Sequence, residues 1–382
     1  MTATASSFWL CPDQVFDGRS LRAGLALRVE GGRVAALAPL AEVPAGAERR
    51  VLRGVLTPGY LDLQVNGGGD AQLNNAPTVE AMQTIAAAHR RFGTVGVMPT
   101  VITDAPEVLA FAVEAALEAQ GAPGVLGLHI EGPHISLPRR GTHAAEWVRP
   151  MEAATLAHVA RLRAAGVTVM ITVAPEAVQK GQIAELAAMG AIVSLGHSDA
   201  TAEAAEAALA EGARCFTHLY NAMSPMLNRA PGVTGAAINS SAWCGFICDG
   251  HHVADAMLGL AIRARPVAGR MFLVSDAMCT VGGSDRYQLY GQEIRLVGGR
   301  LVNAEGSLAG AHVTMAQSVA RLITVLGIAP EEALRMAVTV PAEVIARPDL
   351  AMVEGRGVDD LLALGADWMP LAEGLALRTA AA

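Results

Sequence analysis

Gly127-Leu128-His129-Ile130-Glu131-Gly132-Pro133 is a short apolar run that ends in a carboxylate. The arrangement recurs downstream, where one apolar stretch closes in Gly196-His197-Ser198 and another in Thr217-His218-Leu219. A further run, Met271-Phe272-Leu273-Val274-Ser275-Asp276, delivers an acid. Working outward, short apolar runs alternate with amphipathic stretches from Leu56 onward. Eight strands are expected: 61–65, 98–102, 125–130, 167–173, 191–195, 214–217, 245–247 and 271–274. Ala/Glu-rich helices are expected between them over 78–91, 106–119, 152–165, 177–188 and 201–211. Alternating strand and helix implies parallel strands joined by right-handed crossovers, and eight such units close a barrel. An open doubly wound sheet is the competing reading, but it gathers ligands at one switch point. Here chemistry-capable residues end at least five different strands, which favours an α/β fold of the (β/α)8 TIM-like barrel type.

The flanks read differently. Residues 7–55 carry short β-like pieces punctuated by Asp17-Gly18 and Gly31-Gly32, the pattern of antiparallel strands with tight turns. The tail is again β-like at 360–364 and 374–377, so residues 1–55 and 346–382 are expected to form a small β-sandwich domain. Residues 56–345 make up the barrel, with a β-insertion near 285–308 and helices over 312–326 and 330–344 that would close it.

Composition bounds the chemistry. The net charge of −8, with no Lys/Arg cluster, argues against a nucleic-acid surface, and no apolar stretch approaches the ~18 residues of a membrane span. The five cysteines are scattered without a CxxC pair, which reads as reduced thiols in a cytoplasmic protein. Glu131, His197 and His218 offer one carboxylate oxygen and two imidazole nitrogens at strand ends. That set suits a catalytic zinc or iron(II) with coordination left for water, and Asp276 has the chemistry to move that water's protons. A hydrolase follows. Gly67-Gly68-Gly69 does not satisfy the dinucleotide fingerprint and reads as a turn.

Seven blocks carry a resemblance across nearly the whole chain. Pro58-Gly59-Tyr60-Leu61-Asp62, His129-Ile130-Glu131-Gly132-Pro133, Gly141-Thr142-His143 and Gly196-His197-Ser198 are followed by Thr217-His218-Leu219-Tyr220-Asn221-Ala222-Met223, Asp249-Gly250-His251-His252-Val253 and Ser275-Asp276-Ala277. In order and spacing they resemble the N-acetylglucosamine-6-phosphate deacetylase family of the amidohydrolase superfamily. The resemblance implies that Glu131, His197 and His218 bind one divalent metal ion per subunit, zinc first and iron(II) as the other candidate. A metal so held acidifies water and makes hydroxide available at neutral pH.

By the same resemblance Asp276 is the general base and acid and His143 polarises the amide carbonyl. His252, Arg229 and the backbone N–H groups of Asn221 and Ala222 contact the sugar phosphate, with Arg229 reaching in from a neighbouring subunit of a homodimer. His251 is read as outward, and His134 as a surface residue or one standing behind the site. Where many superfamily members carry His-x-His on the first strand, this chain has Gln64-Val65-Asn66, and its fourth strand lacks the bridging lysine, so one metal is expected. The implied reaction converts N-acetyl-D-glucosamine 6-phosphate to D-glucosamine 6-phosphate and acetate, within amino-sugar catabolism or cell-wall recycling. The galactosamine epimer or another N-acyl sugar phosphate is the alternative substrate, and a non-catalytic scaffold is the remote one.

Overall fold

The computed structural model describes residues 7–304, 306 and 308–371. Eight strands form one sheet whose neighbours follow chain order. They are interleaved with helices as β1 (Tyr60–Val65), α1 (Val79–Arg90), β2 (Thr94–Ile102), α2 (Pro106–Glu118), β3 (Leu128–Glu131), α3 (Ala153–Ala164), β4 (Val169–Val173), α4 (Gln182–Ala188), β5 (Ile192–Leu195), α5 (Ala202–Glu211), β6 (Cys215–Phe216), α6 (Gly232–Asn239), β7 (Trp243–Phe246), α7 (Asp255–Ala264) and β8 (Met271–Leu273). From β2 through β8 each neighbouring pair is parallel. Just past the strand ends, Val65 bridges Ala277 in parallel, and the Asp276 N–H donates to the Gln64 carbonyl at 3.0 Å. These bonds bring the eighth strand back to the first, as the (β/α)8 reading requires.

The local reasons are ordinary. All nine residues of β2 are buried, as befits a parallel strand covered on both faces. The hydroxyls of Thr78 and Thr201 accept from the N–H of Ala81 and Ala204, capping α1 and α5. Helix α4 is shorter than the periodicity suggests because Gly181 takes a left-handed φ of 90° and the helix starts after it. The helices named from the sequence did not include α6 and α7. In α6, Gly232 and Gly235 dilute the helical signal. The expected insertion is a three-stranded antiparallel sheet, Arg286–Leu289, Gln292–Val297 and Arg300–Val302. Its Tyr287, Leu289, Ile294 and Leu301 cluster with Ile102 and Met278 beside the strand ends.

By contact density the chain divides after Leu61 and after Ser318 into two compact units. In the unit made from the flanks, strands Ser7–Phe16, Leu21–Ala23, Leu25–Glu30, Arg33–Pro39, Arg49–Pro58 and Leu361–Leu364 join in a single six-stranded sheet. Phe8, Leu10, Val15, Leu27, Val29, Leu56 and Leu361 fill its core. The Gly31-Gly32 turn has φ of 56° and 75°, positive at both central positions as a tight hairpin demands. Residues 330–344 are helical and widen to a π-turn over Arg335–Thr339 just ahead of Pro341, which lacks an N–H. The β-like stretch at 374–377 lies outside the described residues. No described helix is long and apolar enough to cross a membrane.

Candidate active site

Glu131 ends β3, His197 lies two residues beyond β5, His218 two beyond β6 and Asp276 three beyond β8. All therefore stand at the C-terminal face of the strands, where barrel enzymes build their sites. His197, His218 and Asp276 hold left-handed φ values of 48°, 31° and 51°. Non-glycine residues pay conformational energy there, and such strain gathers where side chains must be aimed. The turns pull three side chains together. Glu131 Oε1 is 3.1 Å from His197 Nε2 and 3.0 Å from His218 Nε2, and the two Nε2 atoms are 3.0 Å apart. All three residues are buried.

Their hydrogen-bond accounting fits a cation. His197 Nδ1 donates to the Arg139 carbonyl at 2.9 Å, and a ring carrying only that proton presents Nε2 as a bare lone pair to a carboxylate oxygen. At most one proton, on His218 Nε2, then lies between that nitrogen and the two acceptors facing it, and the buried His218 Nδ1 has no partner among the described residues. Ligands about 2 Å from a tetrahedral zinc stand roughly 3.3 Å apart, close to the spacing here. Burial works against charge on Glu131, but the two imidazoles set against it, His197 and His218, hold its carboxyl well below the usual range. Ligand-capable atoms of Glu131, His143 and His197 also lie within 4.8 Å of one another. His218 is the tighter third member, since His143 turns its Nδ1 to the Thr103 hydroxyl at 2.7 Å.

Asp276 is tied to this group through amides. Gln64 Nε2 donates to both Glu131 oxygens at 3.0 and 3.1 Å and to Asp276 Oδ1 at 3.2 Å, and Asn66 Nδ2 donates to the same Oδ1 at 2.7 Å. Read in the sequence as poor zinc ligands, these two side chains act as donors, Gln64 to both carboxylates and Asn66 to Asp276. Burial, then the charge of Glu131, pushes the Asp276 carboxyl up to about 6.

A cavity of about 180 Å³ is lined by Glu131, His143, His197, His218, Asn221, Ala222, His252 and Asp276. His143 is neutral, its imidazole held well below the ordinary value by burial and then by His197. His252 Nδ1 donates to Asp249 Oδ2 at 2.6 Å, and its backbone N–H donates to Oδ1. Burial opposes the Asp249 charge, yet the bond from His252 keeps its carboxyl at about 2. Arg229 is exposed and does not line the cavity within this chain. His251 is exposed too. His134 is not a surface residue: it is fully buried, with Nδ1 donating to the Arg149 carbonyl and Nε2 meeting Thr155 Oγ1. Asp249 stood in a quoted block without a role, and Thr103 carried no signal at all.

No protein-family model matches the chain. It is 41% identical to the N-acetylgalactosamine-6-phosphate deacetylase of Shewanella sp. (strain ANA-3), over 81% of this chain and 79% of that one. It is 35% identical to the human N-acetylglucosamine-6-phosphate deacetylase, over 86% and 85%. The chain belongs to the N-acetylglucosamine-6-phosphate deacetylase family of the amidohydrolase superfamily. The crystal structure of the Pasteurella multocida N-acetylglucosamine-6-phosphate deacetylase superposes with a TM-score of 0.88 at 32% identity, covering 96% of this chain and 97% of that one. A mutant of the Mycobacterium smegmatis enzyme in complex with N-acetyl-D-glucosamine-6-phosphate gives 0.86 at 30%, again over 96% and 97%. An amidohydrolase at 13% identity and a TM-score of 0.54 shares the fold.

Proposed function

We propose that the protein hydrolyses the acetamide of N-acetyl-D-glucosamine 6-phosphate to D-glucosamine 6-phosphate and acetate. The observation that carries this reading is the meeting of Glu131 Oε1, His197 Nε2 and His218 Nε2 at 3.0–3.1 Å, with Asp276 bridged to the same carboxylate through Gln64. One divalent ion per chain, zinc foremost, would be held by Glu131, His197 and His218 and would supply Lewis acidity, acidifying water and polarising a carbonyl oxygen. Gln64 and Asn66 occupy with neutral amides the positions a second ion would need.

Asp276 accepts a proton from the attacking water as its oxygen bonds to the carbonyl carbon. It then returns that proton to the nitrogen as the C–N bond breaks, because an unprotonated amine leaves poorly. His143 donates toward the carbonyl oxygen, where negative charge develops. His252, held by Asp249, and the N–H groups of Asn221 and Ala222 receive the phosphate at the other end of the cavity. Arg229 of a second copy completes that end in a homodimer, with a planar cationic fork suited to phosphate oxygens. The five cysteines are buried thiols, which supports a cytoplasmic setting.

The test is acetate release from N-acetylglucosamine, N-acetylgalactosamine and their 6-phosphates, before and after chelation. Release from the glucosamine 6-phosphate that chelation abolishes and zinc restores is the expected result. Faster release from the galactosamine epimer would reassign the sugar, and no release from any of the four would remove the activity.

A further inference from the structure

His143 donates to a carbonyl only if Nε2 carries its proton, and nothing in the ring itself decides which nitrogen does. The decision lies with a residue just past the end of β2. Thr103 is fully buried, and its Oγ1 stands 2.7 Å from His143 Nδ1. Among the described residues this hydroxyl has no other partner. Were Nδ1–H to donate into Oγ1, the hydroxyl proton of Thr103 would be buried without an acceptor, a cost of ~1–3 kcal/mol. With Thr103 as donor to Nδ1, both groups are satisfied and the Nε2–H is free for the cavity.

Two features hold the threonine in this pose. Gly132 has a φ of 79°, and a Cβ on it would lie 2.2 Å from Thr103 Oγ1, so the glycine after Glu131 makes room for the hydroxyl. From the insertion, Tyr290 donates its hydroxyl to the Thr103 carbonyl.

We propose that Thr103 is a positioning residue that selects the Nε2–H form of His143, making His143 a hydrogen-bond donor to substrate in place of a third imidazole ligand for the ion. This rests on the deacetylase reading above. The experiment compares wild type, Thr103→Val and Thr103→Ser, each loaded with zinc, by kcat and KM on N-acetylglucosamine 6-phosphate and by bound zinc. Histidine ¹⁵N NMR of the zinc-free proteins adds a reading of the tautomer, with His143 assigned by its loss in His143→Gln.

Thr103→Val is expected to lower kcat ~10²-fold, the scale of a lost donor at a developing oxyanion, with KM within about threefold. Bound zinc should stay at the wild-type level, and Thr103→Ser should recover most of the rate. Wild-type spectra should show Nε2–H, and that preference should weaken in Thr103→Val. An Nδ1–H wild type, zinc loss in Thr103→Val, unchanged kcat in that variant, or equal losses in the valine and serine variants would each overturn the proposal. A wild type that releases no acetate would sink the deacetylase reading instead, while the NMR comparison would still test Thr103.

Discussion

Asp276→Asn separates proton transfer from everything else Asp276 does. In the structure Oδ1 accepts from Gln64 Nε2 at 3.2 Å and from Asn66 Nδ2 at 2.7 Å. An asparagine there turns its carbonyl oxygen toward the same two donors, because the flipped amide would set N–H against N–H. The packing and both hydrogen bonds are therefore kept, while the second carboxylate oxygen becomes an NH₂ that cannot accept and return a proton. The expected loss is that of a general acid–base, 10²–10⁴-fold in kcat or about 3–5 kcal/mol, with substrate Kd and zinc content within about threefold of wild type.

Chelated protein offers a second readout. Burial and Glu131 raise the Asp276 carboxyl from 3.8 to about 6, so the folded state disfavours its ionised form. The penalty is absent below the unfolded pKa, grows between roughly pH 4 and 6, and is complete above that. Metal-free Asp276→Asn should thus be more stable than wild type by ~1–3 kcal/mol at pH 8 in urea denaturation, the gap closing as pH falls toward 4. Turnover within threefold of wild type would refute the proton-transfer role, and a variant less stable than wild type at pH 8 would refute the electrostatic picture.

Metal analysis of purified protein should return about one zinc per chain, and two firmly bound ions would contradict the reading of Gln64 and Asn66. Arg229→Ala should raise KM for phosphorylated substrate ~10–100-fold, the value of a lost charge-assisted hydrogen bond, with little effect on the unphosphorylated sugar. Equal effects on both sugars would remove Arg229 from the phosphate end. Asp249→Asn should raise KM for the phosphate ester ~10-fold with kcat nearly kept, since Asp249 takes both N–H groups of His252. A fall in kcat at constant KM would place His252 elsewhere in the reaction.

Much of the fold was legible because β/α alternation is a local property. Most of the eight strand candidates are mainly apolar, and each overlaps a strand in the structure. The turn at Gly31-Gly32 was equally local, whereas Gly67-Gly68-Gly69, read as a turn, is in part a strand: Gly67–Gly68 pairs with Ala71–Gln72 around a turn at Gly69-Asp70. What the sequence left unread was also local in cause. Helix α6 opens on Pro231-Gly232 and carries few helix-favouring residues, so its stability comes from burial of nearly its whole length. His134 carries nothing in its sequence neighbourhood to reveal that Arg149 and Thr155 close over it.

By itself the sequence determined which side chains end the strands, and hence that Glu131, His197, His218 and Asp276 would face one mouth of a barrel. Only the tertiary structure decided how they meet. Gln64 lies 67 positions from Glu131 and 212 from Asp276, yet one amide bridges both. Thr103 reaches His143 across 40 positions. Strand propensity acts over a few neighbouring residues, whereas the direction of a donor and the tautomer of a ring depend on partners that only chain closure brings within 3 Å.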